Sequence, residues 1–407
     1  MSGSDSSRGS ARPRYLRGFA LAALLTPVVG CGFSGSSDPQ EEDPPSTDPG
    51  TGPGNGNGGG NTPPPRCKFQ HVDVCGKTPG PARTYDSDVV LDTSLDETCT
   101  HVIAQGQTGI ELCVIHAPSI AIASGVSVRG VGARPLAFVS SGAINISGVL
   151  EVSSRRATTN ADESLGAGAA VGACPAFGRA PAASGSGGGG GAGGGFSGKG
   201  GNGGDSDEPG APARRDGGDA FNALPIAAFL RGGCRGQAGG DGSTAASGGS
   251  GGPAGGALLL AASGDVTVAA GAVVNAGGGG GGGGSTALSG GGGAGSGGMI
   301  VVDGKAIHRH GSIVANGGGG GQGGYVLAAA LPGQPGNNAG ASATPATGGG
   351  GGGIIPPSGG SGSGQATRNA GNGANALDGA GGGGGAAGFI LLLGSVDGAG
   401  ALSPPAT

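Results

Sequence analysis

Apolar residues in this chain fall into short islands of one recurring form, set apart by tracts of glycine. Arg134-Pro135-Leu136-Ala137-Phe138-Val139 is followed by Ala143-Ile144-Asn145-Ile146 and then by Gly148-Val149-Leu150-Glu151-Val152. The same succession recurs at 256–260, 266–268 and 271–275, again at 298–302, 306–309 and 311–316, and again at 388–393, 396 and 400–402. A weaker first copy lies at 112–115, 120–122 and 125–128. These segments are too short for helices, are rich in β-branched residues and mostly alternate apolar with polar or small positions, so they predict strands. One copy has too little surface to bury alone, whereas stacked copies bury a continuous column. Three strands per copy predict one coil of a parallel β-helix. The expected fold is therefore all-β, a parallel β-helix-like solenoid over 114–407 with alternate Ile, Val and Leu pointing inward; an antiparallel sandwich of the same strands is the competing arrangement.

The glycine tracts, at about 157–254, 277–296 and 317–385, read as insertions between coils. A mobile loop near a hundred residues long adds only about 4 kcal/mol of closure entropy. Ordering it would cost roughly 1–2 kcal/mol per residue, most for glycine. Mobile loops are thus the expectation, and charges placed within 278–284 should be tolerated where Asp at Leu259 or Ile300 should unfold the domain. The exception is that glycine strings can pack side by side as polyproline-II-like helices bonded between chains. Cys174 and Cys234 lie inside the first tract and suggest that part of it is ordered.

The amino terminus has a different character. Arg8, Arg12, Arg14 and Arg17 precede a short apolar run over 18–29, and Val28, Val29 and Gly30 lead into Cys31. The run is too short to span a bilayer and has the layout of an export signal, 1–30, with cleavage between Gly30 and Cys31. These residues resemble the lipobox of bacterial lipoproteins, a likeness that implies a diacylglycerol on the Cys31 thiol and a membrane contact through that lipid. Gly32 is not the aspartate that retains many such proteins in the inner membrane, so the resemblance leans to the outer membrane of the cell envelope. Residues 31–66 form a polar tether rich in Pro and Gly, expected to be disordered. About 35 such residues span roughly 30 Å as a coil and roughly 110 Å when extended.

Composition narrows the function. The 407 residues include 106 Gly and 27 Pro, no Trp and 3% aromatics, with net charge −5. Without residues 1–30 the charge would fall to about −8, since four arginines leave with Asp5. An acidic chain with almost no stacking side chains is a poor nucleic-acid partner, and the same scarcity argues against an aromatic-lined pocket. Setting Cys31 aside leaves six cysteines, Cys67, Cys75, Cys99, Cys113, Cys174 and Cys234, which in an oxidising compartment suggest up to three disulfides among fifteen connectivities. Pairing nearest neighbours in sequence gives Cys67–Cys75, Cys99–Cys113 and Cys174–Cys234, the first four within a cap over 67–113. No Cys-x-x-Cys spacing supports zinc.

Motifs for chemistry are sparse. Gly248-Gly249-Ser250-Gly251-Gly252 matches a nucleophile elbow without its strand and helix, and 193–199 matches a phosphate loop with Gly200 where Ser or Thr is needed. Residues 200–205 match the start of a calcium nonapeptide, but Asp207 falls near its apolar anchor, and Asp219 and Asp241 stand elsewhere. His308 and His310 share a strand face, with Arg309 opposite, and are expected to be exposed at an edge. Asp86 with Asp88, and Asp162 with Glu163, are adjacent carboxylates outside the strands, and Glu151, Asp265, Asp303, Lys305 and Arg309 are the main charges on them. None forms an evident pair for glycoside cleavage.

The whole pattern resembles glycine-rich lipoproteins of myxobacteria and related bacteria, carried by the lipobox, the Pro/Gly tether, the apolar islands and the element Leu230-Arg231-Gly232-Gly233-Cys234 after Ala227-Ala228-Phe229. The resemblance implies a surface lipoprotein and brings no catalytic residues, metal or cofactor. The expected role is structural or adhesive, with contacts to surfaces or extracellular matrix. The alternative is an exported β-helix enzyme, a lyase or hydrolase acting on polysaccharide.

Overall fold

The computed structural model describes residues 65–106, 109–157, 163–169, 174, 178–182, 187–206, 217–220, 222–225, 228–242, 247–285, 288–326, 330–350 and 357–407. The signal 1–30, Cys31 and the tether to residue 64 lie outside these, as do Asp162, Asp207 and Ala227.

The predicted segments are strands. In chain order they are β1 (Arg83–Tyr85), β2 (Val89–Asp92), β3 (His101–Ala104), β4 (Glu111–Ala117), β5 (Ile120–Ile122), β6 (Ser127–Val131), β7 (Leu136–Ser140), β8 (Ile144–Ile146) and β9 (Val149–Glu151). After the first glycine tract come β10 (Ala257–Ala262), β11 (Val266–Val268), β12 (Val273–Asn275), β13 (Met299–Arg309), β14 (Ser312–Val314), β15 (Tyr325–Val326), β16 (Ala330–Leu331), β17 (Phe389–Asp397) and β18 (Leu402–Ser403). One short 3-10 turn, Asp96–Thr98, is the sole helical element among the described residues.

Their assembly corrects the expected solenoid. Apart from the short antiparallel pair β15-β16, the strands form two sheets, not three-faced coils: a ten-stranded sheet ordered β1-β5-β8-β11-β13-β10-β7-β4-β3 with β17 also on β13, and a six-stranded sheet ordered β18-β14-β12-β9-β6-β2. The reason lies in β13 and β17. Each runs unbroken through what would be two strands of a coil, so β13 pairs with β10 over its first half and with β11 over its second. The first two rows of segments are thereby one sheet that doubles back at β13. All its ladders are parallel except β3 against β4.

Burial supplies a second correction. Strands β4, β7 and β10 are buried on both faces beyond Glu111, as strands of a covered parallel sheet are. Leu136, Phe138, Leu258, Leu260, Ile300 and Val302 point to the six-stranded sheet and form the inner core with Leu150, Val274 and Ile313. Ala137, Val139, Leu259, Met299 and Val301 point the other way and are equally buried. A covering layer hides them. It consists of Phe69, Val72 and Val74, on a turn of chain closed by the Cys67–Cys75 disulfide, together with Phe196 and Leu230 from the first glycine tract. Fully burying each large apolar side chain contributes about 1.5–3 kcal/mol gross, so both faces of this sheet add to stability.

The glycine tracts are the third correction: where described, they are ordered. Gly188, Gly191 and Gly194 donate N–H bonds to Leu288, Gly291 and Ala294. Gly291, Ala294 and Gly297 donate to Ala380, Gly383 and Ala386, and those three donate back to Gly188, Gly191 and Gly194. Bonding at every third residue between chains is the period of a polyproline II helix, which has no internal hydrogen bonds and must find partners alongside. Positions that face a neighbouring carbonyl admit only glycine, although Ala294, Ala380 and Ala386 fit elsewhere in the columns: a Cβ on Gly193 would lie on the carbonyl oxygen of Gly384, and one on Gly293 on that of Ala192. A net gain of about 1 kcal/mol per hydrogen bond roughly offsets the ordering of each residue, so the bundle needs a template. The sheet provides one. Met299 pairs with Phe389 in the ladder, and the tracts leading into β13 and β17 carry the same alignment upstream.

Candidate interaction surface

Where the bundle ends, its outermost helices lack neighbours for their backbone groups, and side chains substitute. The N–H groups of Lys199, Asn202 and Asp205 donate to the Oδ1 atoms of Asn369, Asn372 and Asn375 at 2.8, 2.9 and 2.8 Å. The carbonyls of the same three residues accept the N–H groups of Ala370, Gly373 and Ala376 at 3.1, 2.9 and 3.0 Å. Each asparagine and its successor thus satisfy both the N–H and the C=O of one residue of the adjacent helix. Three residues per turn places all three asparagines on one edge, where they are exposed. Their Nδ2 groups make no hydrogen bond among the described residues. In the next column Asn202 Oδ1 accepts from Ala220 and Asp205 Oδ1 from Gly217, again with a three-residue period.

A groove lies on the other side of this ladder. Gly371 and Ala374 donate to the carbonyls of Ser361 and Ser358, which sets the 358–363 tract beside the asparagines. The groove has a volume of about 520 Å³ and is lined by Ser358, Ser361, Thr347, Asn337, Pro335 and glycine backbone. Its lining carries hydroxyl and amide groups and no aromatic ring.

The residues singled out from sequence go to separate places. His308 is half-buried and lies not at an edge but between β11 and β17, where it sits between two carboxylates, with Nδ1 2.9 Å from Asp397 and Nε2 3.7 Å from Asp265. The Asp397 hydrogen bond raises its pKa above the ordinary imidazole value, against a smaller opposing effect of desolvation. His310 is exposed beyond the strand end, and Arg309 donates to the Gly398 carbonyl. No group of three metal-ligating side chains occurs among the described residues. Glu151 is held by Arg129 at 2.6 Å, Arg155 at 2.8 Å and the Ser153 hydroxyl at 3.1 Å. Burial would raise its pKa, but these partners together bring it below the ordinary carboxylate value.

Asp303 is buried beneath the covering turn, where Arg66 meets it at 2.8 Å and the Gln70 N–H at 3.3 Å. Lys305 is exposed within β13, where the ladder to β17 shifts register between Asp303 and Ala306. Asp88 accepts the Ser127 N–H, Asp86 lies beside the Ser87 hydroxyl, Glu163 pairs with Arg235, and Asp241 with Arg179. Glu151, Asp303 and Asp265 each answer to their own cations or histidine and do not converge on one cleft. The segments matching an elbow and a calcium repeat are lengths of bundle helix, bonded through Ser250 and Gly203 to neighbouring tracts, while the phosphate-loop match spans the bend at 196–198 that reverses the chain, with Gly193 donating to Gly201 across it.

Three disulfides are present, Cys67–Cys75, Cys99–Cys113 and Cys174–Cys234, the nearest-neighbour pairing. Arg231 of the element around Cys234 is buried, with its guanidinium 4.6 Å above the Phe196 ring. No described helix is long and apolar enough to cross a membrane. Compared with known protein families, curated proteins and solved structures, the chain matches none. Reading the sequence for strands passed over Asn369, Asn372 and Asn375, although their three-residue spacing was itself the signal of a polyproline II edge.

Proposed function

We propose that this chain is a lipid-anchored protein of the cell envelope with a non-catalytic, structural or adhesive role, held to the outer membrane through Cys31 and displayed by its tether. The observation that carries the reading is the bundle rim, where outward amide groups repeat at fixed three-residue spacing on a rigid backbone. Stacked sheets under a hydrogen-bonded glycine bundle make a stiff support, and stiffness lowers the ordering cost of contacts made by the rim. The lipobox-like residues 28–31 and the polar segment to residue 66 support export and display. The charged groups are engaged in separate structural clusters, which favours a presenting surface over a reaction centre.

Labelling cells with a palmitate analogue should mark the protein, and Cys31→Ser should abolish the label and release the chain from the envelope fraction. A deletion strain should lose surface attachment or cell cohesion. An unlabelled chain found free in the medium, with attachment unchanged on deletion, would overturn the reading.

A further inference from the structure

We infer that the asparagine ladder, with the groove beside it, binds a linear uncharged polysaccharide along the polyproline II axis. The inference rests on the adhesive reading above and names its partner. In Asn369, Asn372 and Asn375 the Oδ1 atom is committed to a backbone N–H, so the orientation of each amide is set and its Nδ2 donors face solvent. These donors are fixed before any ligand arrives, and binding them costs little side-chain ordering. Their rungs stand about 9 Å apart, three residues at the polyproline II rise. A polymer that presents hydroxyl and ether oxygens at regular intervals can engage successive rungs, each contact weak and the sum multivalent.

Other partners fit less well. Between the asparagines stand only Ala370, Gly371, Gly373 and Ala374, and the single exposed Leu377 lies beyond the last rung, so the ladder itself supplies no cluster of apolar anchors for a protein interface. Lys199 and Arg368 at one end of the ladder are offset by Asp205 and Asp378 at the other, so the surface lacks the excess positive charge that a nucleic acid or an acidic glycan would require. The groove adds hydroxyls from Thr347, Ser358 and Ser361, which both donate and accept as sugar hydroxyls do.

The test is affinity electrophoresis of the purified full-length chain through gels containing hydroxyethylcellulose or dextran, with alginate as the charged comparison and a glycan-free gel as reference. The wild-type chain should be retarded by a neutral glycan and not by alginate. The triple variant Asn369→Asp, Asn372→Asp, Asn375→Asp keeps every Oδ1 acceptor but replaces the outward donors, and should bind about tenfold more weakly while retaining its circular dichroism. If the triple variant misfolds, Asn372→Asp alone should still weaken retardation. Lys199→Ala should leave it unchanged. Wild-type chain that ignores both neutral glycans, or variants retarded as strongly as wild type, would overturn the inference. Loss of cohesion in a deletion strain whose protein binds no neutral glycan would remove the ladder's ligand and leave the envelope role standing. Ladder-dependent glycan binding by a chain dispensable for cohesion would do the reverse.

Discussion

Asn372 and Asn202 lie on adjacent polyproline II helices, and the side chain of the first completes the backbone bonding of the second. Asn372 Oδ1 accepts the Asn202 N–H at 2.9 Å, while the Asn202 carbonyl accepts the N–H of Gly373, the residue after Asn372, also at 2.9 Å. A side-chain amide thus does at the rim what a further glycine helix does inside the bundle.

Substitutions at Asn372 should separate acceptor from donor. Asn372→Ala removes the acceptor of the Asn202 N–H and should cost about 1 kcal/mol. Asn372→Asp keeps it and should stay within about 0.5 kcal/mol of wild type. Asn369 and Asn375 sit one turn away on either side, so the alanine losses should add nearly independently. Denaturant titration of the single and triple alanine variants measures this, and a triple variant as stable as wild type would refute the clamp.

Inside the bundle the requirement is for the absence of a side chain. A Cβ on Gly293 would fall on the Ala192 carbonyl, and one on Gly278 would collide with the Gly295 carbonyl. Gly293→Ala should therefore destabilise by about 1–3 kcal/mol, the range for overpacking. Gly340→Ala, whose nearest neighbour would be the Ser342 hydroxyl at 3.9 Å, should be neutral. Charges within 278–284, harmless in a mobile loop, should be as damaging as Asp at Leu259. Thermal melts of the two alanine variants decide between an ordered bundle and a flexible insertion.

The strands were legible because their cue is local: Val266–Val268 and Ile144–Ile146 alternate inward and outward, and both lie where the alternation put them. The nearest-neighbour cysteine pairing also needed no tertiary knowledge. What failed was everything that depends on what covers a face. Leu259 reads as a core position and is buried, but the side chains that cover it, Leu230 and Phe196, arrive from a distant glycine tract whose pattern does not announce them. The fusion of two segments into β13 was equally hidden, because Asp303, Gly304 and Lys305 read as a turn but continue the strand. Glycine tracts have no hydropathy pattern at all. Their order depends on hydrogen bonds to other tracts, for which only the spacing of an occasional asparagine gives a cue.

Acidification should weaken the fold in two stages. Burial lowers the pKa of His71, and burial together with the neighbouring His101 lowers that of His116. Each histidine is favoured neutral in the folded chain, so its contribution is complete above the ordinary imidazole pKa of about 6.5 and is lost as pH falls below it. Glu151, whose pKa is lowered by its arginines, contributes above the ordinary carboxylate value and loses that contribution only as pH falls through its lower folded pKa. Melting temperature should therefore decline between about pH 6.5 and 5, then more steeply below about 4.5. His71→Phe should reduce the first decline to the part that His116 contributes and leave the second. An unchanged profile in that variant would show that His71 titrates as it does in the unfolded chain.

The Arg66–Asp303 pair offers a test of how the chain around residue 66 is fastened to the sheet. The Asp303 carboxylate is 2% exposed and Arg66 45% exposed, and the Ser263 hydroxyl donates to the Arg66 carbonyl, so the chain enters the domain at a fixed point on the sheet. Arg66→Ala leaves a buried carboxylate with the Gln70 N–H at 3.3 Å as its remaining hydrogen bond. Breaking a fully buried pair costs about 3–5 kcal/mol, and the half-exposed Arg66 should bring this nearer 2 kcal/mol. The double variant Arg66→Ala, Asp303→Asn removes the uncompensated charge and should recover much of the loss. Recovery would mean that the penalty comes from the stranded charge more than from lost contact. Equal instability of single and double variants would instead assign it to the guanidinium's packing on Phe69, 4.6 Å from the ring centre, and would predict rescue by Arg66→Met.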